Sequence, residues 1–490
     1  MEPILRHHAQ AKNPGRVLFD TLVEDFHESQ MGVQVTVKDI NGHVTKYRAQ
    51  YLVGADGGRT VGPRVGISRQ GPTGLVDMVS VHFHADLSQY WDDRFFACHL
   101  INGNAETVFA SGAIVPMGPN WGKFSNEWIF HFGFALNDEN RFQEDKLLEQ
   151  IRNLLKIPDL EIKPIATSHW IIERTLADTY RVGRVFVAGD AAHKRPPTTG
   201  LGLNTAIEDS NNLAWKLALT LRGRCDPSIL DTYESERRPI GKQNCDWGLF
   251  TFQNSTIINT AIGLAAGQRE NNATRFTALF EDSHVGKALR AQVAKVCELQ
   301  NIEFSAHNIE LGFRYFDGVL LDDGTHPHDE DPLGQQYVPS TQPGNRLPHA
   351  WIDVDNKCST CSTHDFVGSK CSFALITDEF GGEWASAAKR ASEQTGVEIS
   401  VAQIGAFPYM GDWDDDWSRY KEIRKGGALL VRPDNFVAWR SFDPSKSGGE
   451  ELVQAFKKLL RFDHQSLTGV GKGRVNGHCN GDASSSVNEM

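Results

Sequence analysis

The fold of this 490-residue chain is constrained most strongly by one stretch, GRVFVAGDAAHKRPPTTGLGLNTAIEDSNNLAWKLAL, which begins at Gly183. Its apolar run Val185–Ala188 predicts a buried strand that ends in a Gly-Asp pair. After a turn rich in proline and glycine, apolar side chains recur with helical spacing, which predicts an amphipathic helix from Gly202 to Leu221. A strand, a turn and a helix in this order are typical of an α/β fold.

The turn between that strand and helix has the chemistry of a nucleotide site. Asp190 follows the strand, at the carboxyl end where open α/β sheets bind their ligands. Gly200 and Gly202 allow the backbone to pass close to a ligand. The first helical amides, those of Leu203 and Asn204, present N–H groups and the positive end of the helix dipole to an anion. A carboxylate for a sugar hydroxyl beside amides for a phosphate predicts a dinucleotide site.

A second motif, YLVGADGGRT, begins at Tyr51. Here too an apolar strand runs into a glycine-rich turn, and Arg59 and Arg64 follow it. The glycines allow a tight turn, and Asp56 can cap a helix or hold the loop. Turns of the Asp-Gly-Gly type are common, so this motif alone does not indicate a binding site. It becomes informative because it occurs together with the stretch at Gly183.

The two motifs, with a β-rich region between them, resemble those of the flavin-dependent aromatic hydroxylases. The resemblance is to the phenol 2-monooxygenase and dichlorophenol monooxygenase branch, in its fungal secondary-metabolism form. It implies FAD as cofactor, NADPH and O2 as co-substrates, and hydroxylation of an aromatic or polyketide-type small molecule. It assigns cofactor binding to Asp56, Asp190, Gly200, Gly202, Leu203 and Asn204, and it names no catalytic acid or base.

The family opens with a strand, a G-x-G-x-x-G turn and a helix, and this unit has no counterpart in the sequence. We therefore expect the strands at Tyr51–Gly54 and Val185–Ala188 to lose a neighbour and to expose unpaired edges. Two explanations are open. The recorded start lies too late in the sequence, or the chain is a shortened form of the family that binds FAD poorly or not at all. If the chain is such a shortened form, two alternative functions are open, a cofactor-free cyclase or pericyclase and an inactive binding protein.

The rest of the sequence predicts an α/β fold with an incomplete Rossmann-like FAD-binding domain. Residues 1–75 are expected to hold the remainder of that domain, with a hairpin at Asn41-Gly42, and residues 176–300 its Gly-Asp motif and helices. Alternating apolar residues predict an antiparallel substrate-binding sheet in 76–175. The motifs GNRLPHAWI and LLVRPDNFVAWR resemble the family's thioredoxin-like domain, placed at 312–462. The tail 463–490, rich in glycine, serine and asparagine, is expected to be disordered.

Composition excludes several classes of partner. The 50 Lys and Arg residues against 62 Asp and Glu give a net charge of -12, which argues against binding nucleic acid or an anionic membrane. No stretch approaches the roughly 20 apolar residues that cross a bilayer, and no signal peptide is visible. The eight cysteines show no disulfide framework, so we expect a reduced, cytoplasmic protein. Whether it forms a homodimer stays open.

Four residues near the start of the thioredoxin-like segment resemble a metal or redox site: Cys358, Cys361, His364 and Cys371. A thioredoxin-type dithiol opens a helix after the first strand of its domain. This sequence has TDEFGGEW at that position and places the Cys-x-x-Cys pair before the strand. The cysteines are therefore interpreted as inert loop residues, and no metal site is predicted.

Overall fold

The computed structural model describes residues 1–102, 111–265, 268–328, 331–354, 359–367, 371–406, 408–412, 414–462 and 487–489. It has the mixed α/β architecture that the sequence predicts. Its main parts are a small sheet of nucleotide-binding type with helices against it, a large antiparallel sheet, and a C-terminal sheet with its own helices. Within the described ranges, no helix is both long and apolar enough to cross a membrane.

The helices are longest in the middle of the chain, where the stretch after Gly183 leads into two helices of more than five turns. The helices, numbered in chain order, are α1 (Glu2–Lys12), α2 (Val61–Arg64), α3 (Glu144–Leu155), α4 (Leu201–Leu221), α5 (Thr232–Asn254), α6 (Ile257–Ile262), α7 (Arg269–Phe280), α8 (His284–Leu299), α9 (His307–Glu310), α10 (Gly382–Thr395), α11 (Asp416–Tyr420) and α12 (Glu450–Leu459).

The strands are short except in the first hairpins and the large antiparallel sheet. In chain order they are β1 (Thr21–Ser29), β2 (Gly32–Asp39), β3 (Val44–Ala49), β4 (Leu52–Gly54), β5 (Arg69–Gln70), β6 (Val76–His84), β7 (Cys98–Leu100), β8 (Gly112–Gly118), β9 (Glu127–Phe134), β10 (Lys163–Ile172), β11 (Thr175–Ala177), β12 (Arg181–Val182), β13 (Val185–Val187), β14 (His193–Lys194), β15 (Trp351–Asp353), β16 (Thr360–Ser362), β17 (Phe373–Thr377), β18 (Ile399–Gln403), β19 (Ala428–Val431), β20 (Val437–Ser441) and β21 (Val487–Glu489).

The first hairpins follow the sequence pattern. β2 and β3 pair antiparallel around the turn at Asn41-Gly42, and Gly42 has a φ of 86°, in the left-handed region where glycine is favoured. The alternating valines of β2, Val33, Val35 and Val37, are buried, as the period of two predicts. Beside β3 lies β21, parallel to it. These three residues of the predicted disordered tail are thus placed in a strand, and the rest of 463–490 lies outside the described residues.

The small sheet that carries both motifs has the order β12-β13-β4. β13 is parallel to β4 and fully buried. The expectation of an open edge is wrong for β13, because β12 folds back on it as an antiparallel neighbour. It holds for β4, which pairs within the described residues only with β13 and whose Val53 is 40% exposed.

The large sheet has the order β10-β6-β9-β8-β7 and is antiparallel throughout. One face, built from Val79, Val81, Phe83, Trp128, Phe130 and Phe132, packs against Leu147 and Ile151 of α3. On the opposite face the hydroxyl of Ser80 is held by Trp170 Nε1 at 3.0 Å and by His131 Nδ1 at 2.8 Å. The sheet therefore has one apolar core face and one face with polar side chains, as its alternation predicts.

The C-terminal sheet has the order β18-β17-β19-β20. β17 and β18 are parallel, whereas β19 and β20 are antiparallel to their neighbours, and α10 and α12 pack on this sheet. This arrangement is consistent with the thioredoxin-like prediction. All six described cysteines, among them Cys361 and Cys371, are free. Cys358 lies outside the described residues.

A network of fully buried charges joins this C-terminal sheet to α4 and α5. The carboxylate of Glu236 accepts from Lys216 Nζ at 2.7 Å and from two nitrogens of Arg432 at 2.9 and 2.7 Å. Arg432 also donates to both oxygens of Asp434, at 2.9 and 2.6 Å. Burial alone would raise the pKa of Glu236, but Arg432 and Lys216 outweigh it and lower the pKa to about 2. The network thus combines two cationic side chains, Lys216 and Arg432, with two anionic ones, Glu236 and Asp434.

Candidate cofactor site

The start of α4 is an open helix N-terminus. Gly200 caps it with a φ of 65°, a left-handed conformation that glycine adopts without strain, and no side chain accepts from the first-turn amides. Leu203 is 55% exposed and Asn204 is also exposed, and Gly202 is half-buried. The first amides of this long helix thus have no capping side chain, and the positive end of the helix dipole lies behind them.

Asp190 lies at the carboxyl end of β13, as predicted. Its side chain is exposed, and within the described residues its carboxylate makes no hydrogen bond. Gly189 before it has a φ of 60°, and a Cβ there would lie 3.2 Å from that of Ala206. The tight turn brings the strand end against α4, so Asp190 and the open N-terminus belong to one site.

The turn at Gly189 is anchored by a buried cluster that sequence reasoning missed. Asp209 of α4 accepts from the Gly189 amide at 3.1 Å and from His193 Nε2 at 2.7 Å. Its other oxygen accepts from Arg237 Nε at 2.9 Å. Burial would raise the pKa of Asp209, but the charges of Arg237 and His193 outweigh it and lower the pKa. An ionised Asp209 therefore fixes the turn that presents Asp190.

Asp56 holds the turn of the first motif through backbone amides. One carboxylate oxygen accepts from the Gly58 amide at 3.0 Å, and the other from the Thr60 and Val61 amides at 2.6 and 2.8 Å. Burial would raise the pKa of Asp56, but these hydrogen bonds outweigh it and lower the pKa. Both oxygens hold the Asp-Gly turn and the start of α2, so Asp56 shapes the site through the backbone.

We expect Asp56→Ala to lower the free energy of unfolding by about 1–2 kcal/mol, because the turn loses the acceptor of its amides. The matched control is Asp331→Ala, since Asp331 also accepts from three backbone amides, those of Leu333, Gln335 and Gln336. Urea denaturation of both variants should give similar losses, whereas only Asp56→Ala should weaken FAD binding in a titration. Equal FAD affinity in the two variants would contradict a role of this turn in the site.

Arg69 connects the two motifs, and neither motif contains it. Its Nη1 donates to the carbonyl of Gly57 at 3.2 Å and to that of Asp190 at 3.4 Å. Gly58 lies beside it with a φ of 72°, in the left-handed region that favours glycine. Arg69 lies a few residues after the first motif, and only the folded structure brings it to the second.

A cavity of about 400 Å³ adjoins the start of α4. Its wall includes Leu201, Asn204 and Thr205 of α4, Asn244 of α5, and Arg346 from the C-terminal part of the chain. The volume lies within the range of small-molecule sites. The cavity therefore places a compartment for a small molecule next to the predicted cofactor residues.

These features fit a dinucleotide. The amides of Leu201, Gly202 and Leu203 precede the first intrahelical hydrogen bond and offer donors to a diphosphate, and the unpaired Asp190 offers an acceptor to a sugar hydroxyl. Of the predicted residues, the structure brings Asp190, Gly200, Gly202, Leu203 and Asn204 to one place, and it links Asp56 to them through Arg69.

Sequence comparison places known families over most of the chain. The sequence profile of the FAD binding domain family matches residues 1–248, and that of the aromatic-ring hydroxylase C-terminal family matches residues 340–460. The 2,4-dichlorophenol 6-monooxygenase of Delftia acidovorans is 32% identical over 94% of this chain and 78% of its own length. The tetracenomycin A2 monooxygenase-dioxygenase of Streptomyces glaucescens is 31% identical over 94% of this chain and 74% of its own length.

Structural comparison agrees with the sequence comparison. The flavin-dependent monooxygenase PieE, solved in complex with FAD and substrate, superposes with a TM-score of 0.86. It is 34% identical and the match covers 94% of this chain and 79% of PieE. The likeness spans the small sheet, the large sheet and the C-terminal sheet together.

Proposed function

The chain belongs to the family of FAD-dependent aromatic-ring hydroxylases, and on that premise we propose that it hydroxylates an aromatic, polyketide-type small molecule with NADPH and O2 in secondary metabolism. The substrates in the relatives' names, a dichlorophenol and tetracenomycin A2, support this class of substrate. The enzyme is a monooxygenase and an oxidoreductase. The cytoplasmic location stays a prediction from the sequence.

The residues that hold the cofactor form the second part of the proposal. We assign the FAD diphosphate to the turn Gly200–Asn204, where the amides of Leu201, Gly202 and Leu203 precede the first intrahelical hydrogen bond and no side chain caps them. Asp190 accepts a hydrogen bond from a hydroxyl of the ribityl chain, since its carboxylate is exposed and makes no hydrogen bond within the described residues. Asp56 and Arg69 hold the backbone of both turns in place. When bound, FAD supplies the oxygen-activating chemistry of the reaction.

The observation that carries this proposal is the juxtaposition of Asp190 with the open start of α4. The 21-residue helix α4 begins at Leu201 without a capping side chain, so its first amides and the positive end of its dipole are open to an anion. The turn at Gly189 places Asp190 against the same helix. The neighbouring cavity gives the substrate a place beside the cofactor.

The test is the affinity of the chain for FAD. We expect Asp190→Ala to raise the Kd about tenfold or more, because a charge-assisted hydrogen bond is lost. Quenching of flavin fluorescence on titration measures this Kd. Asp159→Ala is the control, since Asp159 is an exposed aspartate in a turn outside the site, and it should bind FAD as the wild type does. A wild-type chain that binds no FAD, or an Asp190→Ala variant with unchanged affinity, overturns the proposal.

A further inference from the structure

A second cavity, of about 360 Å³, lies in the C-terminal domain at the carboxyl ends of β17 and β18. These strands are parallel neighbours, and open α/β sheets bind their ligands at the carboxyl ends of such strands. The wall is formed by the residues that follow the two strands, by α11 and by the loop before β19. Its described residues are all different from those that line the cavity beside α4, so the two cavities are separate.

Three of the five charged side chains in the described part of this wall already have partners. Asp378 accepts from two backbone amides, at 2.9 and 2.7 Å. Asp412 accepts from two amides at the start of α11, at 3.1 and 2.7 Å. The ammonium group of Lys425 lies 3.7 Å from the centre of the Phe380 ring, in a cation–π contact. These three groups thus hold the wall itself in place.

The other two charged side chains, Glu379 and Lys421, have no such partners. Within the described residues, neither side chain makes a hydrogen bond or an ion pair, and they do not pair with each other. The Glu379 carboxylate lies against Gly405 at the end of β18, and Lys421 directly follows α11. Both residues are half-buried, where an unpaired charge is less well solvated than at the surface. An anion and a cation therefore line one cavity without neutralising each other.

Trp417 of α11 adds a hydrogen-bond donor to the same wall. It is only 3% exposed, and its indole N–H makes no hydrogen bond within the described part of the chain. The N–H group of a buried tryptophan usually has an acceptor in a folded protein. Apolar surface in the wall comes from Ile404 and from the ring of Phe380. The free groups of the cavity are thus one carboxylate, one ammonium and one indole N–H, beside an apolar surface.

We propose that this cavity binds a zwitterionic amino acid with an apolar side chain. The ammonium group of the ligand donates to Glu379, and its carboxylate accepts from Lys421 and from the indole N–H of Trp417. The ligand's side chain packs against Ile404 and Phe380. A simple anion would leave Glu379 unpaired and a simple cation would leave Lys421 unpaired, whereas a zwitterion pairs with both. The site is independent of the proposed cofactor site and goes beyond the proposed function.

The experiment compares three aliphatic probes by calorimetry on the full chain. They are L-leucine, isocaproate, which is leucine without its amino group, and isoamylamine, which is leucine without its carboxylate. We expect the wild type to bind leucine about tenfold or more tightly than either analogue, because each analogue loses one charge-assisted contact. Aliphatic probes are chosen because the substrate class of the proposed function is aromatic.

Each charged group is then removed in turn. Glu379→Gln should weaken leucine binding about tenfold or more and leave isocaproate binding unchanged. Lys421→Met should weaken leucine binding to a similar extent and leave isoamylamine binding unchanged. Ser418→Trp keeps both charges but fills part of the cavity from an exposed position of α11, so it should weaken leucine binding too. It supplies the test if a neutralised variant does not fold.

The matched controls are Glu393→Gln and Lys389→Met, which remove exposed charges from α10 outside the cavity wall. Both should bind leucine as the wild type does. The inference is overturned by a wild type that binds none of the three probes, or that binds leucine no more tightly than its analogues. A folded Glu379→Gln or Lys421→Met variant with wild-type affinity for leucine overturns it as well.

Discussion

Replacing Arg432 by methionine is expected to lower the free energy of unfolding by about 3–5 kcal/mol, because Glu236 and Asp434 then lose their shared partner in the interior. All three side chains are at most 1% exposed. Burial would lower the pKa of Arg432, but the two carboxylates outweigh it and raise the pKa, so the charge is firmly held. Lys216 alone would be left to balance two buried carboxylates.

Urea denaturation followed by circular dichroism measures this loss. The control is Arg424→Met, which removes the same side chain from an ion pair with Asp443 at the surface. Arg424 is 73% exposed, and exposed pairs contribute about 0–1 kcal/mol. If both variants lost the same free energy, the buried network would not be what holds the C-terminal sheet against α4 and α5.

Replacing Asp209 by asparagine is expected to cost about 3 kcal/mol and to weaken FAD binding at the same time. Asparagine has the size of aspartate but no charge, so Arg237 and His193 lose their anionic partner. An amide oxygen is also a weaker acceptor for the Gly189 amide than a carboxylate. The turn that presents Asp190 should then lose its fixed position.

Denaturation and FAD titration on the same sample check both effects. Asp231→Asn is the control, because Asp231 is 65% exposed and pairs with Arg181 at the surface. It should change the free energy of unfolding by less than about 1 kcal/mol and leave FAD binding as it is. If the Asp209→Asn variant were destabilised but bound FAD as the wild type does, Asp209 would stabilise the fold without positioning the cofactor site.

The elements that the sequence predicted well are those with a regular pattern. The alternating valines of β2 and the Asn-Gly turn after them needed no information from elsewhere in the chain. The same holds for α4, whose apolar stripe and preceding glycines located the helix to within one residue. The Gly-Asp turn was located for the same reason, since its neighbours in sequence are also its neighbours in space.

The groups that the sequence could not predict are charged side chains with distant partners. Glu236 and Arg432 are 196 positions apart in the sequence. A charged residue considered alone is expected at the protein surface, so the sequence does not predict that either is buried. Asp209 sits in the middle of a helix, where an aspartate gives no sign that it will bind a turn that precedes the helix. The role of Asp56 was open for a similar reason, because the pattern allowed either a ligand contact or a loop contact and the folded turn uses it for the loop.

Arg69 has a consequence for the electrostatics of the site. One of its nitrogens donates to carbonyl groups on both turns, at 3.2 and 3.4 Å. The guanidinium therefore cross-links the two turns, and an apolar side chain in its place would leave both carbonyl groups without this donor.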